Sequence, residues 1–388
     1  MDAVSVVAAR GFRAGGVAAG IKASGDKDLT LIVAEAPVAA AGIFTTSRTA
    51  APPVDVTRRH LADGRARAVI VNSGAANAGT GAAGEQDAVA MATAAAAALG
   101  CDASDVLVCS TGPIGGRLPL DRIRSGLPPL VGTLGDAPEH GEAAARGIMT
   151  TDSVPKSAVS GGDGWIVGGI AKGAGMVRPD MATMLAFLTT DALVDADTLA
   201  AVLGPAADVT FNSLNIDGCQ STNDTVLILA SGASGVTPDE RDFAQRVETV
   251  CRDLALQMAA DAEGASKVVT LRIGGAADDA SARRLGKAVA DSSLVRASFY
   301  GADPNWGRIF AALGVAGEQV DRECISIAYA GTIVCREGVG VEFDEEALAE
   351  RLDQDFIVDI DVGIGTGAAT IVTTDLTPDY VVFNGERS

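Results

Sequence analysis

Histidine is almost missing from this chain: among 388 residues only His60 and His140 occur, in the polar stretches TRRHLADG and APEHGEAA, which read as surface turns or helix ends. A Ser-His-Asp hydrolase or an imidazole-ligated metal enzyme has little to build on with that supply. Both histidines are therefore expected to be solvated and without catalytic duty. Cysteine is scarce as well, and the six thiols (Cys101, Cys109, Cys219, Cys251, Cys324, Cys335) contain no C-x-x-C pair. That excludes a zinc knuckle and a dithiol redox motif, and leaves reduced, mostly buried thiols as the expectation. A phosphate-cradling G-x-x-x-x-G-K-[ST] loop is lacking too, since the weak echo Gly286-Lys287 is followed by Ala288. No apolar run approaches the roughly 20 residues of a membrane span. The start, MDAVSVVAARGFRAGG, has neither the basic opening nor the unbroken apolar core of a secretory signal. A cytoplasmic protein without a membrane partner is expected. Positive charge is also short, with 30 Lys and Arg against 50 Asp and Glu and a net charge of −20. Such a surface repels phosphate backbones, so nucleic acid is not an expected partner.

What is present is small and apolar. Aromatics make up only 4% while glycines number 46, which points to cores packed by close backbone approach more than by large side chains. The length suits one large core or two moderate ones, expected as a compact α/β body with a smaller appended unit. Ala66–Asn72 (ARAVIVN) reads as a strand running into the loop SGAANAGTG, followed by an alanine-rich helix, Glu85–Leu99, closed by Gly100. A second strand, Val106–Cys109, enters another small-residue turn, Ser110–Gly116, and Thr225–Ala230 (TVLILA) reads as a buried strand. Thr237-Pro238-Asp239-Glu240 then places a cap, a proline at the first helical position and a capping-box acid ahead of a helix reaching about Met258. The GGDG segment at Gly161–Gly164 reads as an exposed loop.

The stretch Gly168–Ala192, GGIAKGAGMVRPDMATMLAFLTTDA, concentrates the chemistry: a glycine-rich turn holding Lys172, then Pro179, then Thr183 at the edge of an apolar strand Met184–Leu188. Lys172 between glycines can approach an anion closely. Thr183 has two readings from residues alone. It is an ordinary strand threonine, or cleavage of the Ala182–Thr183 bond frees an α-amine with a pKa of about 7.7–8.0 that serves as base for the threonine's own hydroxyl. Thr111-Gly112 is likewise either a tight turn or an oxyanion hole, and Glu263 either a surface carboxylate or a ligand.

The string KGAGMVRPDMATML resembles the signature of the ornithine acetyltransferases, also called arginine-biosynthesis bifunctional glutamate N-acetyltransferases. The likeness extends over nearly the whole chain through VNSGAANAGTG, STGPIGG, IMTTDSVPK, DGCQSTNDT, DAEGASKVV and ADPNWGRI. The resemblance implies Thr183 as nucleophile of self-cleavage and acetyl transfer, with Thr111 and Gly112 as oxyanion hole. It also implies Thr150, Lys172, Thr183, Glu263, Asn384 and Ser388 around the substrate, the last only if a one-residue gap in the tail is allowed. Lys172 would meet the substrate's α-carboxylate and Glu263 the ornithine ammonium, while Asp303, Asn305 and Arg308 are read as structural. Gly79 and Pro113 depart from the family's usual cysteine and aliphatic residue without touching the oxyanion donors.

The implied fold is α/β, with layered sheets packed between helices in a self-cleaving N-terminal-nucleophile-type acyltransferase. Its pieces would be 1–182 and 183–388, with a smaller subdomain from about 280 to 388. The pieces should stay associated and pair into a dimer. The implied reaction passes acetyl from N-acetylornithine to glutamate without metal or organic cofactor, with acetyl-coenzyme A open as a second donor. Two other readings stand beside it: a related self-processing aminopeptidase or amidohydrolase, and a non-catalytic amino-acid-binding protein.

Overall fold

Along the strand Arg65–Ser73, Ala68 and Ile70 join one apolar cluster with Leu29, Leu31 and Val108, while Val69 and Val71 join another with Ile32, Leu107 and Phe187. Successive side chains of a strand face opposite ways. A strand apolar at every central position therefore has to be covered on both faces. The computed structural model describes residues 5–177 and 184–386, so Ala182, Thr183 and Ser388 lie outside the described residues. The chain divides into two compact units. The first comprises Met1–Gly173, Asp180–Phe211 and Gln220–Met258, and the second Ala174–Pro179, Asn212–Cys219 and Ala259–Ser388.

The first unit is built on a mixed eight-stranded sheet. Its order is Val106–Thr111, Arg65–Ser73, Leu29–Phe44, Thr225–Ala230, Leu185–Thr190, Ile166–Lys172 and Lys156–Gly161, with Phe12–Val17 also pairing on Leu29–Phe44. Helices Gly81–Leu99 and Leu120–Gly132 cover one face through Met91, Ala95, Ile123 and Leu127. Pro138–Ile148 covers the other through Ala144, Ala145 and Ile148. This is the expected layered α/β arrangement. Arg65–Ser73 and Val106–Thr111 are parallel neighbours joined through the helix Gly81–Leu99. The loops leaving their carboxyl ends, SGAANAGTG and the Thr111-Gly112 turn, therefore emerge side by side, the place where open α/β sheets bind ligands.

The second unit has a seven-stranded sheet, ordered Val339–Gly340, Thr332–Arg336, Ser326–Tyr329, Phe356–Asp361, Val268–Ala276, Gly367–Thr374 and Leu214–Asn215. Helices Asp279–Asp291, Ser293–Tyr300 and Trp306–Gly314 pack on it through Leu285, Val289, Phe299 and Leu313. Here aromatics do fill the core: the Phe299 and Phe356 rings lie 5.5 Å apart and Tyr329 sits 6.2 Å from Phe356. Val268–Ala276 is paired on both sides within this sheet. Asn305 caps Trp306–Gly314 through the Arg308 N–H, and Arg308 donates to the Leu294 carbonyl, both structural duties.

Several local expectations need correction. Asp239, not Thr237, caps the helix Glu240–Ala260, its carboxylate accepting the N–H groups of Arg241 and Asp242. A charged acceptor nearer the free N–H groups outcompetes a more distant hydroxyl. Only Cys109, Cys251 and Cys335 are buried; Cys219 and Cys324 are exposed because they lie in loops outside either sheet. His60 closes the helix Pro52–His60 with Nδ1 2.8 Å from the Val106 carbonyl oxygen, and His140 lies within Pro138–Ile148, so both are half-buried rather than solvated. Lys172 is the last residue of a strand and is buried, where a glycine-rich turn was expected, because that strand pairs in register through Lys172 itself. Asp239→Ala should lower the unfolding free energy by about 1 kcal/mol in urea titrations, whereas Thr237→Ala should change it by less than about 0.5 kcal/mol.

Candidate acyl-transfer site

Two carbonyl-end loops of the first unit are locked together by buried amides and hydroxyls. Ser110 donates through its Oγ to Asn72 Oδ1 at 2.6 Å, and Asn72 Nδ2 donates to the Ala75 carbonyl at 2.9 Å. Asn223 Nδ2 donates to the carbonyls of both Ala76 and Ser110, at 2.7 and 2.9 Å. Gly74 and Ala75 donate their N–H groups to the Thr111 carbonyl. Gly112 follows with φ of +135°, and a Cβ there would stand 2.6 Å from the Ala75 nitrogen and the Gly74 carbonyl carbon. Only glycine fits between the two loops.

Within this frame Lys172 Nζ donates to Thr111 Oγ1 at 3.3 Å, and both side chains are buried. A hydroxyl that accepts from an ammonium keeps its own proton to donate elsewhere. Behind Lys172 lies Asp152. Its Oδ1 accepts from Lys156 Nζ at 2.7 Å and from the Gly173 N–H at 2.7 Å, and its Oδ2 accepts from the Thr150 N–H at 3.0 Å. Burial alone would push the Asp152 carboxyl up, but Lys172, Lys156 and the Gly173 N–H outweigh it and hold the pKa at about 2. Thr111, Lys172 and the Thr150 backbone are thus gathered around one fixed negative charge.

A second acid enters beside the candidate junction. Asp224 Oδ1 accepts from the Met184 N–H at 2.8 Å, and the Thr225 N–H returns a bond to the Met184 carbonyl at 3.2 Å. Burial raises the Asp224 carboxyl well above the usual carboxylate range, against the opposing pull of Met184, Lys172 and Ser221, and its Oδ2 has no hydrogen bond among the described residues. Asp152, Asn223 and Asp224 were not read as functional from the sequence. The signals were present in TTDSVPK and STNDT, but nothing in their spacing separates them from loop residues.

Glu263 and Asn384 belong to the second unit and are described with it. The Glu263 N–H donates to the Ala174 carbonyl at 2.8 Å, and a Cβ on Gly175 would stand 2.3 Å from Glu263 Oε2, so the carboxylate lies on the Gly175 backbone. Asp217 holds the same segment by accepting from Met176 and Val177. Its carboxyl is raised by burial and by Glu263, against the N–H groups of Cys219 and Met176 and the charge of Arg296. Two carboxylates sharing a short segment favour a cation between them. Tyr380 donates its hydroxyl to Asp217 Oδ2 at 3.4 Å, and Asn384, exposed one turn further along the helix Pro378–Glu386, donates to the Tyr380 carbonyl at 3.1 Å. Among the described residues no group of three or more His, Cys, Asp and Glu side chains is placed to hold a metal ion, and no helix is long and apolar enough to cross a membrane.

A threonine hydroxyl backed by a buried lysine, at a turn only glycine can make, lies at the carboxyl ends of a layered α/β sheet, where open sheets of this kind bind ligands. The family follows from comparison: a model of the ArgJ family matches residues 13–388, and the chain belongs to that family. The arginine biosynthesis bifunctional protein ArgJ of Thermobifida fusca is 46% identical over 387 residues, covering 99% of this chain and 100% of that protein. The protein of the same name from Mycobacterium bovis is 48% identical and covers 100% of this chain and 97% of its own length. A crystal structure of the ArgJ protein of Bacillus halodurans is 35% identical, with a TM-score of 0.50, and covers 51% of this chain but 96% of the solved chain.

Removing the Asp152 charge takes the carboxylate partner from Lys156, whose side chain is fully buried. Asp152→Asn should therefore destabilise the protein by about 3–5 kcal/mol in denaturant titrations. The pH dependence has a fixed sign. The folded carboxyl titrates at about 2, below its ordinary 3.8, so its contribution of about 2 kcal/mol is complete above the ordinary value and is lost as pH falls towards 2. Acid unfolding curves of the parent should show that loss between about pH 4 and pH 2, and those of Asp152→Asn should lack it.

Proposed function

We propose that this protein transfers acetyl from N-acetylornithine to glutamate in arginine biosynthesis, in the cytoplasm, after cutting itself between Ala182 and Thr183. The observation that carries the reading is the Lys172 ammonium on Thr111 Oγ1, beside a Gly112 that the packing makes obligatory. The Thr183 α-amine freed by cleavage takes the threonine's own hydroxyl proton as Oγ attacks the acetyl carbonyl. Thr111 O–H and the Gly112 N–H stabilise the resulting oxyanion. The carbon–nitrogen bond breaks, ornithine leaves with the proton, and glutamate's amine then attacks the acetyl-threonine and restores the enzyme. Lys172 meets the α-carboxylate, and Thr150, Asn384 and Ser388 complete the amino-acid contacts. Glu263, joined by Asp217, takes the side-chain ammonium.

The likeness to the Bacillus halodurans protein supports division of the chain: nearly all of that solved chain corresponds to half of this one. The cleaved pieces, 1–182 and 183–388, stay together and pair into a dimer. The aminopeptidase alternative passes the acyl group to water, and hydrolysis exceeding transfer to glutamate would favour it. Acetyl-coenzyme A is the second donor to assay, since glutamate acetylated from it marks a bifunctional enzyme.

Intact mass and N-terminal sequencing should find two fragments, one beginning at Thr183. Thr183→Ala should give one uncut, inactive chain, and a fully active uncut parent would refute the reading. Thr111→Val keeps the side-chain shape and removes the hydroxyl, so turnover should fall by about a hundredfold or more with little change in the Michaelis constants.

A further inference from the structure

Gly175 belongs to the short stretch Ala174–Pro179 that forms part of the second unit. Two acids of that unit hold this stretch, and they do so differently. Asp217 commits both of its oxygens: Oδ1 accepts from the N–H groups of Val177 at 3.0 Å and Cys219 at 3.1 Å, while Oδ2 accepts from the Met176 N–H and the Tyr380 hydroxyl. The Val177 carbonyl accepts in return from the N–H groups of Ile216 and Asp217, at 2.8 and 3.3 Å. Met176 is thereby kept at φ of +55°, a left-handed conformation that a residue with a Cβ adopts only when its surroundings impose it. The backbone next to Gly175 is fixed by these bonds.

Glu263 uses that backbone as a platform. Its own N–H is anchored on the Ala174 carbonyl at 2.8 Å. The three atoms nearest to a Cβ built on Gly175 all belong to the Glu263 carboxylate: Oε2 at 2.3 Å, Cδ at 2.4 Å and Oε1 at 2.7 Å. Gly175 is not among the glycines with positive φ, so alanine can take up its backbone. What glycine supplies at this position is room for a carboxylate, not conformational freedom. A methyl group there would drive Oε2 from 2.3 Å back to ordinary contact near 3.4 Å, a retreat of about 1 Å. The hydrogen bond between an ammonium and a carboxylate is confined to about 2.7–2.9 Å, so a displacement of that size is enough to lose it.

We propose that Gly175 is a specificity-determining residue: because it has no side chain, the Glu263 carboxylate can lie where it meets the side-chain ammonium of N-acetylornithine, and Asp217 is the positioning residue that fixes the platform. This rests on the acetyl-transfer reading above. It assigns to Gly175 the preference for a donor whose side chain ends in an ammonium, with no part in the glutamate step.

The test compares Gly175→Ala, Glu263→Gln and the double variant with the parent, all cut, using as donors N-acetylornithine and N-acetylnorvaline, the same chain without the terminal amine. Gly175→Ala should lower kcat/KM for N-acetylornithine by about tenfold or more, and kcat/KM for N-acetylnorvaline and for glutamate by less than about threefold. Adding it to Glu263→Gln should cost nothing further, since both changes act on one interaction. An unchanged donor preference, an equal fall for both donors, or losses that multiply in the double variant overturns the proposal. Should Gly175→Ala fail to fold or to cut, Glu263→Ala in the same chain removes the clash and should restore both. A double variant that stays unfolded or uncut would show that something other than Glu263 demands glycine, and overturns the proposal as well. A parent that is uncut, or that moves no acetyl from N-acetylornithine, would overturn the functional reading instead.

Discussion

Asp152 is a buried carboxylate that organises one end of the first unit's sheet. It touches Lys156, at the start of one strand, and the N–H that follows Lys172, at the end of the neighbouring strand, so it ties the open end of that pair together. Desolvating a carboxylate costs several kcal/mol, and two lysines with two N–H groups are what offset it here. The compensation is directional as well as energetic. Because Asp152 holds the backbone at Gly173, Lys172 leaves the strand with its ammonium aimed at Thr111. A lysine carried on an open glycine turn would have spent rotamer entropy to reach the same place. The burial of Lys172 is thus part of how the turn is equipped, and Asp152 is what makes that burial tolerable.

The small-residue composition serves the same end by a different route. Loops that would ordinarily be separated by side chains are here separated by nothing, since Gly74 and Gly112 touch backbone to backbone. Close backbone approach leaves polar main-chain groups that must be paired. The amides of Asn72 and Asn223 supply pairing for three of those carbonyls. The frame is consequently rigid in the sense that matters for an oxyanion hole, whose donors help only if they are in place before charge develops. In the second unit, aromatic side chains also fill the core: Phe299, Tyr329 and Phe356.

The strand Arg65–Ser73, the helix closed by Gly100 and the STG turn were legible because each carries its own local signal: an apolar run, a terminal glycine, a small-residue cluster. The helix Leu120–Gly132 was not, since Pro128 and Pro129 stand inside it, and its burial through Leu127 and Leu130 overrides the local penalty. Site residues divide in the same way. Thr111, Gly112 and Lys172 stand in distinctive strings. Asp152, Asn223 and Asp224 are chemically ordinary until the fold brings sequence-distant partners to them, 21 residues away for Gly173 and 113 for Ser110. The depth at which Lys172 sits had no signature either, because a lysine in a glycine-rich string reads as part of a turn until strand pairing is known.

The scarcity of imidazole then takes on a specific meaning. His60 bonds a strand carbonyl and His140 is built into a helix, so neither is available for proton transfer in the frame around Thr111. Lys172 is a poor replacement as a base, since its ammonium stabilises the buried Asp152 charge and donates to the Thr111 hydroxyl. Asp224 is engaged otherwise: its Oδ1 accepts the Met184 N–H, and burial raises its carboxyl well above the usual carboxylate range. Under the proposed reading, cleavage before Thr183 supplies an amine next to the hydroxyl it has to activate.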